Sequence, residues 1–430
     1  MTRDTHPLFT VIIPTKDRAE YLHHTLRTCA LQDYENLEVI VSDDGSTDHT
    51  RAVVEEAARK DPRIRYVTPG VGVGMRDNFE FALEQVKPGY VMALGGDDGL
   101  LPYGISGMRN VLLETGLELL TWAAPVYSYP PNSTLSGQLI LDKKSKSKII
   151  SSGAYLSRQA RDLHYLSDLE TPMFYVKGIV STKLIDKVRD RTIDKRFYSC
   201  PTPDGYSGIV LAGEVEKFTF SGEPFSLFGA SPSSQGIAYL SNSKSAKNQS
   251  EAFFKQVTGT PMHSKLARQP YSPLITLMTV DYLLSSQDLP GWPGQVPTIN
   301  FKKMLEKGLI ELSHGLYAEE RIIRELNILN NIAEFHGLGE YFKSQVKQSR
   351  KYASKAPFEG GGLSLNKIFL NDTKCGIFNI FDAAHVAYFS HKMISQMSLG
   401  AVYGAFSNSV EYKLRSIKKR NFFPDQSLWT

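Results

Sequence analysis

Cysteine is scarce: Cys29, Cys200 and Cys375 are the three in 430 residues, far apart and without a CxxC pair. That spacing speaks against a disulfide framework or a thiolate zinc site and fits a reducing cytoplasm. Charge of one sign is scarce too. With 49 Lys and Arg against 45 Asp and Glu the formal balance is +4, too little for a general attraction to nucleic acid, so no such partner is expected. Long apolar runs are missing, none reaching the ~20 residues that span a bilayer. Met1 to Pro7 is polar and leads directly into a strand, which leaves no room for a signal peptide. No repeat at a solenoid period occurs. The histidines offer no metal cluster, since His23 and His24 are adjacent and His385 and His391 lack an i, i+4 relation.

What is present is an ordinary globular composition, 41% hydrophobic and 22% charged, on a chain long enough for two structural units. Phe9 to Ile13 is a short apolar run ending at Pro14, as expected of a strand buried on both faces. Leu22, Leu26, Cys29 and Ala30 follow at helical spacing. Leu37 to Ser42 reads as a second strand, Arg63 to Val67 as a third and Tyr90 to Leu94 as a fourth, with helical patterns between them. Ser46 or Asp48 is the expected cap of the helix after the second strand. Strictly alternating strands and helices predict an α/β unit with a mostly parallel sheet and flanking helices.

From Ser128 to Ser152 the pattern fails among prolines, serines and lysines, which predicts an exposed excursion. Phe174 to Ser181 and Lys217 to Phe228 have strand character. Helical periodicity takes over after Tyr239, over Ser272 to Gln287 and Tyr317 to Phe335. The expected division is therefore 1–238 for the α/β unit and 239–430 for a mainly helical one, with a hinge-like linker at Pro357 to Gly362.

In a parallel sheet the residues just after each strand gather on one edge, where ligands of open α/β folds bind. Three such endings carry chemistry: Pro14, Thr15 and Asp17 after the first strand, Asp43 and Asp44 after the second, Asp97 and Asp98 after the fourth. Carboxylates brought together repel unless a cation lies between them, and an oxygen-seeking divalent ion, Mn2+ or Mg2+, is the usual answer. Such an ion would also bind a diphosphate. Each acidic pair alone could be a turn with a helix cap; two at neighbouring strand ends favour a site.

The runs F-T-V-I-I-P-T-K-D-R, E-V-I-V-S-D-D-G-S-T-D and G-Y-V-M-A-L-G-G-D-D-G-L-L-P, in that order and spacing, resemble the opening motifs of family 2 inverting glycosyltransferases with the GT-A fold. The resemblance is specific through about Pro102 and weaker to F-G-A-S-P-S-S-Q-G. It implies a nucleoside diphosphate sugar donor, UDP favoured, and a glycan or lipid-linked glycan acceptor in bacterial surface-polysaccharide assembly. By this resemblance Pro14, Thr15 and Asp44 contact the base, with Asp17 and Asp43 close by; Asp97 approaches the ribose and shares the metal with Asp98; and Arg76 and Asn78 look like phosphate or ribose contacts. P-T-P-D-G-Y-S-G stands where the family carries its general base, which points to Asp204.

The sequence departs from the pattern at Gly95, where many relatives have Asp, and at Ser231, Ser233 and Ser234, where some have a metal-binding His. The Q-x-x-R-W motif of processive synthases is missing, so transfer of single sugars is expected. A receiver domain would need an acidic pair after the first strand and an Asp after the third, where Pro14-Thr15 and Thr68-Pro69 stand. The rival is a catalytically inactive sugar-nucleotide or glycan-binding scaffold of the same fold. The helical unit is expected to shape the acceptor site or a homo-oligomer contact. The basic run Lys413, Arg415, Lys418, Lys419 and Arg420 would suit peripheral contact with the inner face of the cell membrane, or simply a solvated helix face.

Overall fold

The computed structural model describes residues 6–70, 72–130, 137–142, 145–232, 234, 244–313, 319–349, 367–371 and 375–396. The basic run after residue 412 and the linker at 357–362 lie outside them.

The first half begins as its periodicity predicts. Strands β1 (Phe9–Thr15), β2 (Leu37–Asp43), β3 (Ile64–Val67) and β4 (Tyr90–Ala93) are parallel, in the order β3-β2-β1-β4, and helices α1 (Ala19–Ala30), α2 (Thr50–Lys60) and α3 (Met75–Glu84) connect them. All seven residues of β1 are buried, because helices or loops cover both faces of the sheet at its centre. Of the two expected caps of α2 it is Asp48 that serves, its Oδ1 accepting the Thr50 N–H at 2.9 Å at the start of the helix. Ser46 Oγ instead accepts from the Asp17 N–H, and Asp48 Oδ2 accepts from the Ala19 N–H, so both residues tie the ends of β1 and β2 together.

Beyond β4 the chain builds β5 (Gly99–Leu100), α4 (Gly104–Thr115), β6 (Leu119–Trp122), β7 (Val126–Ser128), β8 (Gln138–Asp142), β9 (Lys148–Ser151), α5 (Ser152–Asp162), β10 (Gly178–Ser181), α6 (Thr182–Arg191), α7 (Pro203–Gly213), β11 (Lys217–Ser221) and β12 (Ser226–Ala230). Strands β10, β6, β11 and β9 extend the first sheet beyond β4, β10 running antiparallel to both neighbours. The Ser128 to Ser152 stretch is not a plain excursion. Within it β8 pairs with β7, and Leu139 and Leu141 are buried. These strands belong to a second sheet, ordered β13-β8-β7-β12-β5, whose edge strand β13 (Lys367–Asn371) comes from far down the chain.

Helices α8 (Lys244–Val257), α9 (Ile275–Gln287), α10 (Phe301–Ser313), α11 (Glu319–Phe335) and α12 (Gly339–Ser349) make up the expected helical unit. Helix α9 is buried continuously from Thr276 to Leu284 and so is apolar nearly all round, as a central helix must be. Glu311 of α10 accepts the Ile275 and Thr276 N–H groups and caps it from outside. One apolar cluster runs from Ile12 and Ile40 through Phe174 and Tyr206 to Leu329 and Phe342, passing the expected boundary without a break. Trp292 fixes this joint: its indole N–H donates to the Val210 carbonyl at 3.0 Å, and a Cβ on Gly213 would lie 1.9 Å from its ring. The last described helix, α13 (Ile380–Gln396), packs on α1 and β5, so the chain returns to the first unit after the helices. Among the described residues no helix is long and apolar enough to cross a membrane.

Candidate active site

Parallel register carries the predicted residues to one edge. Thr15 lies opposite Asp43, and beyond these ends the Asp44 N–H donates to the Thr15 carbonyl at 2.9 Å. The loop after β4 folds against the same place: a Cβ on Gly96 would stand 2.9 Å from Thr15 Oγ1. Thr25 of α1 holds this loop from beneath, its hydroxyl donating to the carbonyls of Gly96 and Asp98. Thr15, Asp44, Asp97 and Asp98 are therefore neighbours, as expected. Thr15 Oγ1 is buried with no hydrogen-bond partner.

The two carboxylates of the β4 loop are held differently. Asp97 Oδ1 accepts from the Arg18 guanidinium at 2.7 Å, and its Oδ2 accepts from Ser231 and Ser234 at 2.5 and 2.7 Å. Asp98 is turned inward. Its Oδ2 accepts the Gly95 N–H at 2.6 Å, its Oδ1 accepts the Gly229 N–H at 2.8 Å, and 1% of the residue is exposed. Asp98 is thus turned toward main-chain donors that shape the loop, while Asp97 faces the side chains of Arg18, Ser231 and Ser234. Burial first, and then the Asp97 charge, raise the Asp98 pKa despite these donors. Burial works against the Arg18 charge, but Asp97, Tyr175 and Asp98 outweigh it.

The residues expected around the base have local partners as well. Asp43 accepts from the Ser46 N–H and the Tyr66 hydroxyl, both at 2.9 Å, which makes it a brace of the turn. Asp44 accepts from the Val73 and Gly74 N–H groups, and Lys16 Nζ stands 3.6 Å from it. Asp17 is exposed, has φ +49, and accepts from the Thr47 N–H at 2.7 Å. Pro14 is buried within β1. Arg76 and Asn78 both lie inside α3. Arg76 faces Asp77 and Thr260, while Asn78 is 3% exposed and spends its amide on Ser42, so it anchors α3 to β2 rather than facing a ligand.

Asp204 lies in the first turn of α7, where Pro203 starts the helix. Its surroundings are tyrosines from both units. Tyr165 donates to Asp204 Oδ2 at 3.3 Å, and Tyr165 packs on Tyr282 of α9 with ring centroids 5.7 Å apart. Gly205 is required beside it, since a Cβ there would come within 2.6 Å of Tyr282 and 2.7 Å of Tyr165. Asp204 Oδ1 is buried and has no hydrogen-bond partner. Burial raises the pKa of this carboxyl, a condition that favours proton uptake.

Arg18, Ser231 and Tyr175 were not predicted as site residues. Arg18 closes the K-D-R run of the first motif, so its place in the sequence was visible, but its partner was not. Tyr175 had no sequence signal.

Among the described residues no group of three or more His, Cys, Asp or Glu side chains is arranged to hold a metal. The donor set still suits a hard divalent ion that keeps most of its coordination for phosphate and water: carboxylate and hydroxyl oxygens and an unpartnered, buried Thr15 hydroxyl.

Acidic strand tips thus gather on the edge of an α/β sheet where ligands of such folds bind. Residues 10–166 match the family described as Glycosyl transferase family 2. Over 113 residues the chain is 36% identical to the GalNAc(5)-diNAcBac-PP-undecaprenol beta-1,3-glucosyltransferase of Campylobacter jejuni, a match covering 26% of this chain and 35% of that protein. It is 52% identical over 63 residues to the validoxylamine A glucosyltransferase of Streptomyces hygroscopicus, covering 14% of this chain and 15% of that one. The matches thus span about a third of the first relative and less of the second. Among solved structures, S. aureus TarS 1-349 in complex with UDP-GlcNAc superposes with a TM-score of 0.46 at 15% identity, covering 80% of this chain and 92% of that one.

Proposed function

We propose that the chain transfers a single sugar, with inversion, from a nucleoside diphosphate sugar to a glycan or lipid-linked glycan acceptor. The observation that carries this reading is the convergence of Thr15, Asp44 and Asp97 on one sheet edge beside Lys16 and Arg18. Carboxylates there suit the hydroxyls and ring nitrogen of a nucleoside, and the two cationic side chains suit its phosphates. UDP is the favoured nucleotide, because the edge is built from the motifs shared with the family. The undecaprenol-linked acceptor in the name of the Campylobacter relative supports a lipid-linked acceptor here.

Asp97, with Ser231 and Ser234 beside it, would hold Mn2+ or Mg2+, and Asp98 would support the loop from behind. Such an ion, when bound, offsets the negative charge gathering on a departing diphosphate. Asp204 accepts the proton of the acceptor hydroxyl as that oxygen bonds to the anomeric carbon. The bond from that carbon to the diphosphate breaks, and the nucleoside diphosphate leaves with the electron pair. The helical unit brings Tyr282 to Asp204, so it contributes to the acceptor side of the reaction.

The test is thermal unfolding with a set of nucleotide-sugars, with and without Mn2+, followed by turnover of the donor that stabilises. A Mn2+-dependent rise with a uridine donor is expected. No shift with any nucleotide-sugar would defeat the reading, and stabilisation without turnover on any glycan or lipid-linked glycan would point to a binding scaffold.

A further inference from the structure

Tyr175 lies between the two halves of the core, with its ring 6.1 Å from that of Phe79 and 6.3 Å from that of Phe228. Its hydroxyl stands beside the Asp98 carboxylate, each within 3 Å of where a Cβ on Gly95 would lie. A Cβ on Gly95 would fall 2.5 Å from this hydroxyl, 2.7 Å from Asp98 Oδ2 and 3.1 Å from Asp97 Oδ1. The Tyr175 hydroxyl thus fills the space a side chain at position 95 would need, in the crook of the turn that bears both carboxylates.

The backbone beside it is strained. Val176 has φ +56, a left-handed conformation that a β-branched residue seldom adopts. It is held there from several sides: its N–H donates to the Ala93 carbonyl at 2.7 Å, its carbonyl accepts from Ser226 Oγ at 2.5 Å, and the Lys177 N–H closes on the Tyr175 carbonyl at 2.6 Å. Ala93 ends β4, the strand that leads to the two aspartates. Strain fixed by so many bonds next to a candidate site calls for a local purpose.

We propose that Tyr175 is a positioning residue: its hydroxyl, aimed by the Val176 turn, keeps Asp98 folded onto the Gly95 and Gly229 N–H groups and so leaves Asp97 as the carboxylate offered to a divalent cation. This rests on the proposed donor site. Without the hydroxyl, the space beside Asp98 opens and the carboxylate can swing toward Asp97, which spoils the orientation of the second carboxylate.

Tyr175→Phe keeps the ring and removes the donor. The measurement is the unfolding midpoint as a function of Mn2+ concentration at fixed UDP, without acceptor, together with kcat and KM for the donor. In the variant, the midpoint without ligand should stay within about 2 °C of the parent. The Mn2+ concentration giving half the stabilisation should rise about tenfold or more, the usual effect of removing a group that orients a metal ligand. KM for the donor should rise more than kcat falls. Ser226→Ala, which loosens the Val176 carbonyl and leaves Tyr175 intact, should shift the Mn2+ requirement the same way by less. An unchanged requirement in Tyr175→Phe beside a responsive parent overturns this assignment alone. A parent that does not respond to Mn2+ and UDP overturns the donor site and this assignment with it.

Discussion

The strand-tip edge and the Asp204 pocket are two acidic places built on opposite plans. At the edge the carboxylates of Asp97 and Asp98 have donors on every oxygen: a guanidinium and two hydroxyls for one, main-chain N–H groups for the other. In the pocket Asp204 has a single hydroxyl on one oxygen, and its other oxygen is buried without a partner. Saturated carboxylates keep their direction, which suits holding a ligand. An under-satisfied, partly desolvated carboxylate gains from taking a proton. In the proposed reaction, that difference in hydrogen bonding matches an oriented pair for the donor and a freer carboxylate for the acceptor proton.

Substitutions can break that division. Asp204→Asn should lower turnover by about 10²–10⁴-fold, the range of a lost general base, with donor-dependent stabilisation intact. Asp97→Asn should lower kcat/KM by about 10²–10³-fold and remove the Mn2+-dependent stabilisation as well. Equal loss of donor binding in both variants would erase the distinction. Arg18→Met leaves Asp97 buried without its cation, and denaturant unfolding should show a loss of about 3–5 kcal/mol. Gly213→Ala drives a methyl group into Trp292 and should cost about 1–3 kcal/mol, shifting the unfolding midpoint without altering donor affinity.

The smallest effect is on pH. The Asp204 pKa is raised on folding, so the folded state binds this proton more tightly than the unfolded chain. The favourable contribution is complete below the ordinary carboxylate pKa and is lost as pH rises through the higher folded value. Asp204→Asn should therefore be slightly more stable than the parent at neutral pH, with the advantage vanishing in acid. A parent at least as stable as the variant at pH 7 would contradict the buried, unpaired state of the carboxylate.

Much of the edge was legible because the parallel unit obeys a local rule: buried strand, polar tip, helix. Pro14, Thr15, Asp44 and Asp97 follow from it. The rule does not say which of two adjacent aspartates turns inward. Asp98 does so because of the Gly229 N–H, which arrives from a strand far along the chain. Tyr175 was hidden for a similar reason, since its direction depends on a strained turn with no compositional mark. The Ser128 to Ser152 stretch was misread as irregular because β8 completes its pairing with β13, more than 200 residues later. The division at 238 also looked sharper than it is. Composition changes there, but apolar packing through Trp292 and α9 does not stop.

The late arrival of β13 has a consequence for synthesis. Until Lys367–Asn371 has been made, one side of β8 has no partner strand, and Leu139 and Leu141 sit on a sheet whose edge is open. A shortened chain ending before Lys367 would carry that open edge permanently. It should self-associate even though every residue of the strand-tip motifs is in place.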